Sequence, residues 1–139
     1  EKGCHVIALK VGKKIITGKQ TDILTPASSA ILNAIKYLSK IPDDIDLLSP
    51  KVLKPIMSLN ENLGEKGKLL TLPEVLTALE ICSVTNPMIE KALSCLSKLK
   101  DADAHSTYIV ENGDRKVFKE LKINLTCENE FLSDIEIIE

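Results

Sequence analysis

Length, composition and charge set narrow bounds on this protein. The chain has 139 residues, 44% of them hydrophobic, which is enough for one domain whose core needs neither disulfides nor metal. Its 18 basic and 20 acidic side chains leave a net charge of -2, which argues against an electrostatic nucleic-acid binder. No apolar run approaches the roughly 20 residues of a membrane span. The composition therefore indicates a soluble domain of mixed α and β structure, and by itself it identifies no activity.

The start of the chain and its cysteines bear on where the protein works. The sequence begins Glu1-Lys2-Gly3, and no charged segment there precedes an apolar core, so we predict a fragment of a longer chain without a signal peptide. No two cysteines form a CxxC motif, and a chain of this length does not need disulfides. We therefore expect a cytoplasmic protein with four reduced thiols, which are Cys4, Cys82, Cys95 and Cys127.

The first part of the chain predicts a β-hairpin followed by a helix. Residues 5–11 are rich in β-branched and apolar side chains, as in a buried strand, and a turn at 12–14 leads into a short partner strand at 15–17. Residues 26–39 carry apolar side chains at the i, i+3, i+4 spacing of a helix with one buried face. Thr25 is the expected N-cap of this helix, with proline next in sequence.

Three further helices are predicted in the middle of the chain. The first follows Ser49 and contains a proline that distorts it, the second covers 73–84, and the third follows Asn86. The last two are separated by so few residues that they should form a helical hairpin. In the first of these helices, the side chains expected to be buried are Val52, Leu53, Ile56 and Met57.

The C-terminal part of the chain predicts a strand at 106–110 and a final strand at 123–126. The Asn112-Gly113 dipeptide between them suggests a hairpin turn, whereas residues 114–121 show helical spacing; we favour the helix. The acidic segment 129–139 is either an edge strand or a tail.

These elements follow one another in the order β-β-α-α-α-α-β-α-β. They predict a single α+β domain over residues 1–128, in which a small mixed sheet is covered by about five helices. We expect it to be the C-terminal domain of a longer chain.

Two groups of polar residues are candidates for contact with an anionic ligand. Lys19 follows a glycine, but the spacing around it does not fit a phosphate-binding P-loop. His105 precedes Ser106 and Thr107, and these side chains offer hydrogen bonds to a phosphate or a carboxylate; His105 is also the weak candidate for an acid or base. Successive residues of a strand point to opposite faces, so His105 and Ser106 cannot form a simple catalytic pair.

Helix N-termini provide a further candidate. Asn86 is explained by capping alone, yet a helix N-terminus also binds anions, and the ends at Thr25, Ser49 and Asn86 would form a site if they met. The scattered His and Cys residues show no zinc spacing, so we expect no metal site, and the residues identify no cofactor.

Seven blocks of the chain occur in a recognisable order: 16–19, 28–36, 47–50, 74–79, 85–88, 104–107 and 125–128. This series resembles the C-terminal portion of a bacterial family known as domain of unknown function 1846, also called uncharacterised protein family 0371. The resemblance extends from about residue 3 to residue 128. It implies a cytoplasmic bacterial protein with a larger N-terminal part, and it implies no established activity. The chain departs from the pattern at Leu72-Pro73 and at residues 101–103, which argues against a metal or thiol role there.

Two functions are compatible with these observations. In the first, the domain contributes Lys19, Asn86, His105, Ser106 and Thr107 to a site for an anionic small molecule, such as a phosphorylated one, and its own N-terminal domain completes the site. The alternative is a structural module that packs against the rest of the chain or against another copy of itself. Neither function involves nucleic acid or a membrane.

Overall fold

Four strands form one mixed sheet in a computed structural model that describes residues 5–128. The strand order is β2-β1-β3-β4, with β1 antiparallel to both of its neighbours and β3 parallel to β4. The predicted α+β class, the mixed sheet and the order of elements are confirmed. The strands are β1 (Val6–Val11), β2 (Lys14–Lys19), β3 (Asp103–Ser106) and β4 (Asn124–Cys127).

Five α-helices accompany the sheet, and four of them have proline in the first or second position. Thr25 and Asn86 cap their helices as predicted: the Thr25 hydroxyl accepts from the Ser28 N–H at 3.3 Å and the Asn86 carbonyl oxygen from the Met88 N–H at 3.0 Å. The helices are α1 (Pro26–Leu38), α2 (Pro50–Asn62), α3 (Leu72–Ser83), α4 (Pro87–Leu93) and α5 (Asn112–Glu120), and a 3₁₀ turn covers Leu96–Leu99.

The two faces of the sheet differ. The inner face packs against the helices through side chains such as Ile7, Leu9 and Phe118 of α5, none of which is exposed. The outer face alternates with it and carries exposed or half-buried side chains, among them Lys10 and His105. This period of two is the ordinary consequence of strand geometry when only one face is buried.

The strand predicted at 106–110 lies elsewhere, at Asp103–Ser106. The Ser106 hydroxyl accepts from the Tyr108 N–H at 3.1 Å and donates to the Tyr108 carbonyl at 2.6 Å. The Ser106 side chain thus occupies both backbone groups of Tyr108, which a continuing strand would use. The β-branched composition of 106–110 was therefore a misleading signal.

Residues 112–113 open α5 and do not form a hairpin turn, so the helix favoured for residues 114–121 is confirmed. The expected burial of the α2 side chains was wrong for three of four: Leu53 is buried, whereas Val52, Ile56 and Met57 are only partly covered. The segment 129–139 lies outside the described residues.

A buried carboxylate joins three of the helices. Asp114, in the first turn of α5, has no exposed surface. One of its oxygens accepts from the backbone N–H of Leu72, the first residue of α3, at 2.7 Å, and the other accepts from the hydroxyl of Thr25, the N-cap of α1, at 2.9 Å. Burial raises the pKa of Asp114, and the hydrogen bonds from Leu72 and Thr25 only partly oppose that effect.

A second carboxylate holds α2 to α3. Glu74 accepts from the Thr71 N–H at 2.9 Å and from the side-chain amide of Asn60 at 3.1 Å. Burial opposes the ionisation of Glu74, but the hydrogen bonds from Thr71 and Asn60 together lower its pKa. Asn60 is, with Leu53, one of the two buried residues of α2, so this contact fixes the outer helix to the domain.

We predict that Asp114→Ala lowers the free energy of unfolding by about 3 kcal/mol, because the Leu72 N–H and the Thr25 hydroxyl lose a buried partner. Urea unfolding of the two proteins measures the difference. Asp44→Ala, at an exposed position of the same chain, is the matched control and should change the free energy by less than about 0.5 kcal/mol. An equal loss in the two variants would contradict the role given to Asp114.

Asp114→Asn tests the raised pKa. An acid with a raised pKa in the folded state stabilises the fold below its unfolded value of about 3.9, and that contribution is lost as the pH rises through the folded value. The free energy of unfolding of the wild type, relative to that of Asp114→Asn, should therefore fall as the pH rises from 3 to neutrality, a range of roughly four units. Parallel pH profiles from urea titrations would show that Asp114 titrates normally.

Candidate functional site

A groove of about 410 Å³ lies between α1, the end of β2 and the segment that leads into α2. Its α1 wall presents Ser29, Asn33 and Lys36, which share one face because they are three to seven residues apart in the helix. Its β2 wall presents Thr17 and Lys19. The apolar part of the lining consists of Leu24, Leu32, Leu47, Leu48 and Leu53, and Asp46 is the acidic residue of the lining.

Gly18 brings these two walls together. A Cβ atom at this position would overlap the backbone nitrogen of Ala30 in α1, so only glycine allows β2 to lie this close to the helix. The side-chain amide of Asn33 donates to the carbonyl of Thr17 at 2.9 Å and ties the helix to the strand. The small residues at the start of α1 therefore permit this close approach.

Lys36 is the least expected residue of the groove. Its side chain is only 7% exposed, and its ammonium donates to the backbone carbonyl of Asp43 at 2.9 Å. The ion pair found among residues 5–128 is Lys68 with Glu65, so within that part of the chain the Lys36 ammonium has no carboxylate partner. A largely buried lysine without an opposite charge beside it is unusual.

Ser29 provides a second unsatisfied group in the same groove. Its hydroxyl is buried and has no hydrogen-bond partner among the described residues. Buried hydroxyl groups are nearly always bonded, so an orphan hydroxyl on the wall of a groove needs a partner from outside the fold. Ser29 and Lys36 thus place a hydroxyl group and a positive charge on the same wall of the groove.

Of the residues proposed from the sequence, Lys19 lies in this groove. Lys19 and Gly18 both belong to β2, and the exposed Lys19 side chain reaches the groove from the edge of the sheet. The strand therefore fixes the position of its backbone more firmly than a turn would.

His105 is elsewhere, on the outer face of the sheet. It is exposed, and its Nδ1 atom lies 2.8 Å from the Thr126 hydroxyl of β4. It pairs with Ala8, which pairs with Thr17, so two strand spacings, about 10 Å, separate His105 from the β2 wall of the groove. The structure does not bring His105 and Lys19 together in one cavity.

The side chains of Asn86, Ser106 and Thr107 form hydrogen bonds with backbone groups of the fold. Asn86 caps α4, Ser106 bonds both backbone groups of Tyr108, and the Thr107 hydroxyl accepts from the Val6 N–H at 3.0 Å. A ligand role for these three residues and for His105 stays a prediction. The helix N-termini that meet are also different ones: Thr25 and Leu72 meet at Asp114, whose carboxylate occupies the junction.

Sequence reasoning missed Ser29 and Lys36. The signal that could have identified them is their position in α1, a helix in which residues 26–31 and 34–36 are all buried. A serine and a lysine inside such a helix are unusual, because lysine is almost never fully buried without a partner.

Two further observations concern the described residues only. Residues 5–128 contain no cluster of three or more His, Cys, Asp or Glu side chains that would hold a metal ion, and the cysteines 82, 95 and 127 are free. None of the helices in that range combines the length and apolar character that crossing a membrane requires.

The described residues thus form an α+β fold whose groove is lined by two lysines, Lys19 and Lys36, and by Asp46. Residues 1–135 match the family described as domain of unknown function DUF1846, C-terminal, and the chain belongs to that family. It is 42% identical over 131 residues to the UPF0371 protein of Clostridium tetani (strain Massachusetts / E88) and 42% identical over 132 residues to that of Clostridioides difficile (strain 630). These matches cover 93% and 94% of this chain and 26% of each relative, so the chain spans about a quarter of their length.

We predict that Gly18→Ala destabilises the domain by about 3 kcal/mol or more, because β2 must move away from the α1 backbone and the core between them opens. Gly113→Ala is the matched control: a Cβ there meets nothing within 4 Å, and the position lies in α5, where alanine should stabilise by about 0.5–1 kcal/mol. Thermal and urea unfolding measure both changes. A loss for Gly18→Ala no larger than for an ordinary surface change would contradict the close approach.

Proposed function

We propose that this domain binds the anionic group of a small molecule in the groove between α1 and β2, and that the remainder of a longer protein completes the site. The observation that carries the proposal is the Lys36 ammonium, buried in the groove without a carboxylate partner among residues 5–128. A bound anion would offset the cost of burying this charge.

The groups around Lys36 favour an oxyanion. Lysine acts as a point charge with rotatable donors, the Ser29 hydroxyl supplies a donor, and Lys19 adds a second positive charge at the rim. A phosphate or carboxylate has several oxygens that can accept from these directions. The leucine side chains of the lining would contact an uncharged part of the ligand, as in most small-molecule sites, where apolar walls surround a few polar groups.

The relatives support a shared site. The chain spans 26% of their length, so a protein of that length has about three quarters of its residues outside this domain. Within the domain, β1 begins beside the end of β2, since the Gln20 N–H donates to the His5 carbonyl at 3.2 Å. His5, the first described residue, therefore lies beside Gln20, which follows Lys19 in the chain.

The experiment is a thermal-shift titration of the full-length protein with inorganic phosphate, pyrophosphate and acetate. Binding should raise the melting temperature, since a ligand at a hundredfold excess over its Kd stabilises the folded state by about 2.7 kcal/mol. Lys36→Met keeps the aliphatic stem and should abolish the shift without lowering the melting temperature of the free protein, because the variant no longer buries a charge.

Lys116→Met removes an exposed lysine of α5 and is the matched control, which should keep the full shift. Asn86→Ala and His105→Ala test the residues proposed from the sequence and should also keep it. A shift that survives Lys36→Met would contradict the proposal. A shift that His105→Ala alone removes would contradict it and also place the anion on the outer face of the sheet.

A further inference from the structure

The groove between α1 and β2 carries charges of both signs. Lys36 lies in its wall and Lys19 at its rim, and it is also lined by Asp46, an exposed residue of the segment that leads into α2. Within residues 5–128, Asp46 forms no ion pair, so its carboxylate lies beyond ion-pair distance of both ammonium groups. The lining therefore holds a positive and a negative charge that the described residues do not neutralise.

The chain between these groups is short. The Lys36 ammonium donates to the carbonyl of Asp43 at 2.9 Å, and Asp46 is three residues further along. Three residues span at most about 11 Å. The Ile45 N–H donates to the Pro42 carbonyl at 3.1 Å, which folds this segment into a turn. The Lys36 ammonium and the Asp46 carboxylate are therefore within reach of one small molecule that carries both a negative and a positive group.

The rest of the lining restricts the uncharged part of the ligand. Five leucines supply apolar contacts, and none of the described residues in the lining is aromatic or an arginine. A nucleobase normally stacks on side chains of those two kinds, so the groove favours an aliphatic group over a nucleobase. Its volume of about 410 Å³ is near the lower end of the range of about 300–1,000 Å³ for small-molecule sites, which fits a small ligand.

We infer that the ligand of this groove is a free α-amino acid with an aliphatic side chain. The inference rests on the proposed function, since the carboxylate of the amino acid is the anion that Lys36 binds. Asp46 accepts charge-assisted hydrogen bonds from the α-ammonium group, and the leucines contact the side chain. An anion without an ammonium group is instead repelled by Asp46. A residue within a peptide lacks at least one of the two charges, so the free amino acid is the better fit.

The test is isothermal titration calorimetry of the full-length protein with three ligands. These are L-leucine, 4-methylpentanoate, which is leucine without its amino group, and 3-methylbutylamine, which is leucine without its carboxylate. Leucine should bind about ten- to a hundredfold more tightly than 4-methylpentanoate, because it adds hydrogen bonds between charged groups. The amine has no group for Lys36 to bind and should show no measurable binding.

Two variants test the role of Asp46. Asp46→Asn removes the charge and keeps the size of the side chain, so leucine and 4-methylpentanoate should bind to it equally. Asp44→Asn, at an exposed position outside the lining, is the matched control and should keep the full advantage of leucine. An advantage that survives Asp46→Asn, or that Asp44→Asn removes as well, would overturn the inference.

The same titrations separate this inference from the proposed function. Equal binding of leucine and 4-methylpentanoate to the wild type, lost for both in Lys36→Met, would overturn the amino-acid ligand and leave the anion site standing. Leucine that does not bind, while phosphate still gives a thermal shift that depends on Lys36, would have the same meaning. The absence of binding by both carboxylates and by phosphate would overturn the two proposals together.

Discussion

The carboxylate of Asp114 is the contact on which the arrangement of the helices depends. It lies without solvent exposure where α1, α3 and α5 begin, bonded to the Thr25 hydroxyl and the Leu72 N–H. The first backbone N–H groups of a helix have no partner within the helix. The buried Asp114 side chain supplies acceptors for this junction from within the chain. The position of α5 follows, and with it the crossover that places β4 parallel to β3.

Two buried ionisable side chains, Asp114 and Lys36, differ in the partners that the fold gives them. The Asp114 carboxyl group accepts hydrogen bonds from groups of the fold itself. The Lys36 ammonium donates to the Asp43 carbonyl and has no carboxylate partner within residues 5–128. The same contrast separates the hydroxyl groups nearby: Ser28 donates to the Leu70 carbonyl at 3.1 Å, and its neighbour Ser29 has no partner among the described residues. The groups at the helix ends thus have partners within the fold, whereas the Ser29 hydroxyl of the groove has none among the described residues. This difference assigns the proposed anion to the side of α1 that faces β2.

Local rules predicted most of the fold. Caps such as Thr25 and Asn86 located helix starts within a residue or so, because capping is a short-range interaction. β3 was misplaced because the bonds of Ser106 to Tyr108 outweighed the β-branched composition after it. Of the residues that line the groove, the sequence identified only Lys19 as a candidate for ligand contact. Lys36 becomes a buried residue through the approach of β2, which is a long-range contact, and of the segment around Asp43, seven residues further along the chain. Helical periodicity encodes neither contact. Family membership was accessible from the order of short blocks even though the chemistry was not.

The most direct test of this account is a crystal structure of the full-length protein soaked with selenate, an oxyanion that can be located by its anomalous scattering. The account predicts a peak about 3 Å from the Lys36 ammonium and within hydrogen-bond distance of the Ser29 hydroxyl. A carboxylate from elsewhere in the protein bonded to Lys36, with no selenate in the groove, would contradict it. In that case the buried lysine would form an ion pair with another part of the same protein.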